Sequence, residues 1–235
     1  MRKIILSIIL SISLFGGTIE EIQNQGKIRV GIKYDTKPFG FKDGKKVIGF
    51  DIELSKLIIE EIKVKYNLPK LQIFYKQVVP LDREIQLVEN KVDMIIATYT
   101  INKKSKEKID FSNPYFNDDV SIVHRNEFIK VGVLKNSTTI TKILNMGYKT
   151  HEYLTYDEMF NDFDSKKINA IATNKSILKD YIKENKYFVL ESKEVEYFAV
   201  GLPKNDIEFK KLIDEILAKL KENGELDKLH KKWFK

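Results

Sequence analysis

The chain has 235 residues, 43% of them hydrophobic and 32% charged, a balance that supports well-buried cores and excludes a disordered or membrane-embedded protein. The formal charge is +7 and comes mostly from lysine, with arginine only at positions 2, 29, 83 and 125. No cysteine occurs, which excludes disulfides, thiolate metal sites and a cysteine nucleophile.

The first residues differ from the rest. Met1-Arg2-Lys3 is basic, residues 4–15 are apolar, and Gly16-Gly17 follows. This pattern predicts a secretory signal over residues 1–17, too short for a typical spanning helix. Removing Arg2 and Lys3 with it would leave a charge of about +5. A lipoprotein needs a cysteine after its signal, so the expected product is periplasmic and not lipid-anchored.

Residues 27–34 (KIRVGIKY) alternate like a half-buried strand, and residues 47–50 form a short one. Asp51 then reads as the N-cap of a helix with Leu54, Leu57, Ile58 and Ile62 on one face. Residues 71–78 predict a strand, 81–90 a helix, and 92–97 (VDMIIA) a fully buried strand. Such alternation predicts a mainly parallel sheet covered on both faces.

The pattern then restarts. Residues 128–134 predict a strand, 138–144 and 156–163 helices, 168–173 a second buried strand, 175–184 a helix and 187–190 extended chain. An amphipathic helix carries Phe209, Leu212, Ile213, Ile216, Leu217 and Leu220 on one side. Gly224 stops it, and a last short helix holds Leu226, Leu229 and Trp233. No flexible linker divides the halves. Extended crossings near residues 118–124 and 195–202 join them, which predicts a hinge of paired strands. Lys210 with Asp214, Lys211 with Glu215 and Glu215 with Lys219 stand at i, i+4 spacing, so the lysine excess reads as a solvated surface and not a nucleic-acid interface.

Several segments carry a family likeness in order: Gly49-Phe50-Asp51-Ile52-Glu53-Leu54, Lys91-Val92-Asp93 through Phe111-Ser112-Asn113-Pro114-Tyr115, residues 131–139 (VGVLKNSTT), and Asn223-Gly224-Glu225-Leu226 through Trp233-Phe234. Together they resemble the polar amino acid-binding family of periplasmic solute-binding proteins, family 3, the soluble component of ABC importers. Lys33-Tyr34-Asp35 is similar to its glutamate- and aspartate-binding branch. The resemblance implies an α/β, two-lobed periplasmic-binding-protein fold, with a ligand cleft between lobes joined by two strand crossovers. Residues 18–117 and 200–235 would form one lobe and residues 118–199 the other. The implied function is capture of a small polar, carboxylate-bearing solute, an amino acid or derivative, for an ABC permease. A monomer is expected, with no metal and no cofactor.

In open α/β sheets, ligands gather where strands end and helices begin. Thr98 and Thr100 follow the strand ending at Ala97. Ser137 and Thr138 follow the strand ending near Leu134 and open a helix, either as anion donors or as caps. The resemblance places the family's carboxylate-gripping arginine at Ser105, its ammonium-holding carboxylate at Asn174, and two aromatic positions at Thr36 and Pro80. Both charged anchors are thus neutral here. Arg83 aligns with an arginine of acidic-amino-acid binders, and Lys33, Lys104 or Lys106 could replace the missing cation. On this reading Ser105→Arg with Asn174→Asp should restore general amino acid binding. The alternatives are a cyclohexadienyl dehydratase-like enzyme on the same fold, with Asp35, Tyr156 and His151 as its acid–base candidates, or a receptor without transport. Tyr156 also counts among the candidate ligand-lining residues.

Overall fold

The computed structural model describes residues 17–235, so the expected signal lies, but for Gly17, outside the described residues. A helix the sequence reading did not anticipate, α1 (Thr18–Gln25), comes first and is pinned by the Thr18 N–H donating to Asp206 at 2.8 Å. β1 (Lys27–Ile32) follows. A small antiparallel sheet then forms from β2 (Asp35–Thr36), β3 (Gly40–Asp43) and β4 (Lys46–Ile48). The helix α2 (Phe50–Tyr66) leads to β5 (Gln72–Gln77), α3 (Arg83–Val88), β6 (Met94–Ile95), α4 (Lys103–Lys106) and the 15-residue strand β7 (Asp110–His124).

The second half runs β8 (Lys130–Leu134), α5 (Thr139–Asn145), β9 (Lys149–Tyr153), α6 (Tyr156–Asp164), β10 (Ala170–Asn174) and α7 (Lys179–Lys183). A second 15-residue strand, β11 (Phe188–Leu202), returns to the first half, where α8 (Ile207–Glu222) and α9 (Glu225–Phe234) end the chain.

Eight strands lie in the order β5-β1-β6-β11-β7-β10-β8-β9. The outer pairs are parallel, β1 with β5 and β6, and β8 with β9 and β10. The centre is antiparallel because β7 and β11 pair along most of their length. The sheet is therefore mixed, where alternation alone had predicted a mainly parallel one. A strand of 15 residues spans roughly 50 Å, enough to run through both lobes. The two crossings are these paired strands, with register shifts between Glu191 and Val195 and again from Phe198 to Gly201.

One expected boundary moves. Gly49, not Asp51, precedes the first turn of α2, with φ at 135°. A Cβ there would sit 2.1 Å from the Phe39 carbonyl oxygen, so only glycine fits this turn. The turn sends Phe50 into an aromatic core with Phe39, Phe116, His230 and Phe234. Phe116 and His230 stack at 4.9 Å, and Phe39 meets Phe116 edge-on at 5.0 Å. The C-terminal helix closes this core, which fixes the floor under the strand ends described next.

Candidate functional site

The parallel strands of both lobes end facing one another, and the polar residues there are buried. Lys33 follows β1 and is 3% exposed. Its ammonium lies 4.9 Å from the ring centroid of Tyr156, which belongs to the other half of the chain. It makes no ion pair or hydrogen bond with the described residues. Burial pulls its pKa down from 10.5 to about 8, against the partial support of Asp35 and Asp51.

Arg83 opens α3 and is 6% exposed. Its guanidinium lies 3.6 Å from the Tyr99 ring centroid and donates one long hydrogen bond, 3.3 Å, to the Ala97 carbonyl. No carboxylate pairs with it among the described residues, whereas Arg29 and Arg125 have Asp93 and Asp164. Burial lowers its pKa, and Arg83 in turn works against the charge of Lys33.

Asp51 is fully buried and organises the loop after β6. Its carboxylate accepts the Thr98 N–H and the Tyr115 hydroxyl, each at 3.1 Å. Burial pushes its pKa up to about 7. Thr98 is held with φ at 45°, a left-handed conformation that a β-branched residue rarely adopts. Asp51 was read as a cap from sequence; its carboxylate instead fixes the loop that carries Thr98 and Thr100.

Glu196, on β11, was missed altogether. It is 3% exposed and accepts Thr100 Oγ1 at 2.9 Å, Thr138 Oγ1 at 2.6 Å and Asn174 Nδ2 at 3.0 Å, with the Lys142 ammonium 3.4 Å away. Thr138 makes no capping bond to α5. The neutral Asn174 thus lies beside a carboxylate supplied by another strand. A lone charge inside the alternating run Val195-Glu196-Tyr197-Phe198 gave no signal of this partner set. Asn174→Asp would press a second carboxylate against Glu196, which is the physical reason against expecting that substitution to rebuild an anchor.

The remaining candidates divide. Tyr156 closes over Lys33, donates its N–H to Asp35 at 2.9 Å and shares its hydroxyl with Thr173 at 2.5 Å. Asn136 donates to the Pro80 carbonyl at 2.9 Å, a second bridge between the halves. Ser137 Oγ is buried without a partner among the described residues. Thr36 is buried and donates to its neighbour Asp35. Ser105 faces inward, where its Oγ accepts the Tyr99 hydroxyl and the Asn102 amide, each at 3.1 Å. Lys104 and Lys106 are exposed, leaving Lys33 as the buried ammonium. Asp35 and Tyr156 meet, but the exposed His151 packs on Tyr153 at the sheet edge and joins neither.

Residues 28–235 match the sequence profile described as bacterial extracellular solute-binding proteins, family 3. The chain belongs to that family. Its proteins bind small solutes outside the cytoplasm and work with ABC permeases. This solute-binding protein is 30% identical to the ABC transporter glutamine-binding protein GlnH of Bacillus subtilis, over 93% of this chain and 85% of that one. It is 27% identical to the glutamate/aspartate import solute-binding protein of Salmonella typhimurium, over 94% and 80%. Among solved structures, an ancestral amino acid-binding protein described as a precursor of cyclohexadienyl dehydratase matches with a TM-score of 0.82 and 26% identity, covering 94% of this chain and all of that one. The two-lobed fold is shared with such neighbours, and the relatives are solute-binding proteins, not enzymes. Among the described residues of this solute-binding protein, no helix is long and apolar enough to cross a membrane.

Proposed function

We propose that this solute-binding protein captures an amino acid or close derivative through a carboxylate group, which Lys33 and Arg83 meet in the cleft. One observation carries the reading: among the described residues, the buried Lys33 and Arg83 each rest against an aromatic ring and neither makes a salt bridge to a carboxylate, although Asp35 and Asp51 lie near Lys33. Burying an unpaired charge costs several kcal/mol, so two such groups on one wall are costly unless an anion joins them. Among the described residues, the unpartnered Ser137 Oγ is left as a neutral donor from the opposite wall, beside the Tyr156 hydroxyl that Thr173 shares.

The relatives' names support an amino acid as ligand, and the lobes would divide at residues 118 and 199, where β7 and β11 cross. We further read the chain as no binder of nucleic acid, since its lysines pair with acids such as Asp214 and Glu61.

Calorimetry with L-glutamate, L-aspartate, L-glutamine and L-arginine tests the reading. The acidic pair should bind tightest, and Arg83→Ala should weaken their binding at least tenfold, about 1.4 kcal/mol, with unliganded stability preserved. Equal affinity in mutant and parent would overturn it.

A further inference from the structure

We propose that Tyr99 is the positioning residue that sets specificity for a ligand side-chain carboxylate, by packing against Ser105 and presenting the Arg83 guanidinium to that group. The proposal rests on the carboxylate reading above.

Tyr99 is 1% exposed and held on three sides. Its hydroxyl donates to Ser105 Oγ at 3.1 Å, and Phe111 packs edge-on against its ring at 4.8 Å. Arg83 lies over the ring itself at 3.6 Å. Ser105 is fixed in turn by Asn102, whose side chain both accepts the Ser105 N–H at 2.9 Å and donates to its hydroxyl at 3.1 Å. Asn102 and Ser105 thus hold the Tyr99 hydroxyl, while packing by Phe111 fixes the ring on which the guanidinium rests.

The stacking has a chemical consequence. A guanidinium has five donors in one plane. Here the guanidinium makes a long bond to Ala97 and a polar contact with Tyr99, and the aromatic face covers one side of the plane. The donors left at its edge suit a planar carboxylate gripped by two parallel bonds, a geometry an ammonium cannot offer. A core serving only packing would place leucine or methionine at 83 and avoid the cost of a buried charge. A serine at 105 suits the same arrangement: a longer side chain there would meet the Tyr99 hydroxyl, which lies 3.1 Å from the Ser105 Oγ.

The test compares Tyr99→Leu, Tyr99→Phe and Arg83→Lys with the parent, using calorimetric affinities for L-glutamate and L-glutamine. Tyr99→Leu removes the platform and should lower the glutamate-to-glutamine affinity ratio at least tenfold. Tyr99→Phe keeps the ring and should hold the ratio within about threefold of the parent. Arg83→Lys keeps the charge and leaves Tyr99 in place, so it should collapse the ratio even if Tyr99→Leu does not fold. The Arg83 Nε–H resonance gives a readout without ligand: shifted upfield by the ring in the parent and in Tyr99→Phe, and returned to the ordinary arginine position in Tyr99→Leu. A parent that binds no acidic amino acid overturns the carboxylate reading and this one together. A parent that binds glutamate while Tyr99→Leu keeps its ratio overturns only the role of Tyr99, and a ratio kept in Arg83→Lys overturns the guanidinium grip that Tyr99 is proposed to present.

Discussion

Glu196 accepts the Thr138 hydroxyl at 2.6 Å, and the same carboxylate takes Thr100 from the opposite lobe at 2.9 Å. A side chain on a crossing strand thus holds one donor from each wall of the cleft, so its hydrogen bonds depend on the angle between the lobes. Asn174 and Lys142 complete the set. Removing one partner of a buried charged network leaves the others desolvated, at a cost of about 3–5 kcal/mol. Glu196→Ala should lose about that much in urea denaturation, whereas Glu196→Gln, which keeps an acceptor oxygen, should lose less. A loss below ~1 kcal/mol for Glu196→Ala would show that the four donors find water instead.

Asn174 gives the second expectation. Its amide nitrogen lies 3.0 Å from Glu196 Oε2 in a buried setting. Asn174→Asp replaces a donor by an acceptor and sets two carboxylates in contact, so one of them must hold a proton at neutral pH. The variant should be destabilised near pH 7.5 and should recover much of that loss near pH 5, where the shared proton is easily bound. Stability that falls in parallel with the parent between those pH values would contradict this.

The architecture was legible because its signals are local. Alternation in residues 27–34, the buried run 92–97 and the apolar face of α8 each point inward without help from distant parts of the chain, and β1, β6 and α8 lie within those stretches. The short strands β2 and β3 and the strand β9 were not anticipated, although β4 overlaps the short strand expected at residues 47–50; exposed positions break the alternation, and β9 reads intermediate or exposed in four of five places. The site was half legible. Thr98 and Thr100 follow a strand end, which spacing reveals, whereas Arg83 and Lys33 were singled out by the family resemblance. Glu196, Asp51 and Tyr99 act through partners 47 to 96 residues away or through a ring stack, and no spacing encodes that. Ser105 was read as a lost anchor; the structure gives it a partner in Tyr99 instead.

The last prediction concerns protons. Lys33 has its pKa lowered to about 8, so between about pH 8 and 10.5 the unfolded chain holds more protons than the folded one. Stability contributed by this group therefore rises with pH across that window, and below pH 8 the buried ammonium exerts its full cost. Asp51 runs the other way. Its pKa is raised to about 7, so its contribution is best at low pH and is lost as pH rises from about 4 through 7, below the lysine's window. The neighbouring tyrosines, Tyr99, Tyr115 and Tyr156, are all pushed upward by burial and stay protonated at pH 8.5. A ligand carboxylate set against Lys33 adds the missing negative charge and pulls its pKa back up. Binding of L-glutamate near pH 8.5 should then take up roughly half a proton or more, measured as the dependence of calorimetric heat on buffer ionisation enthalpy. Lys33→Met should abolish the uptake and flatten the rise of stability above pH 8. Binding without proton uptake in the parent, or equal uptake in Lys33→Met, would place the carboxylate away from Lys33 and leave Arg83 as its sole cation.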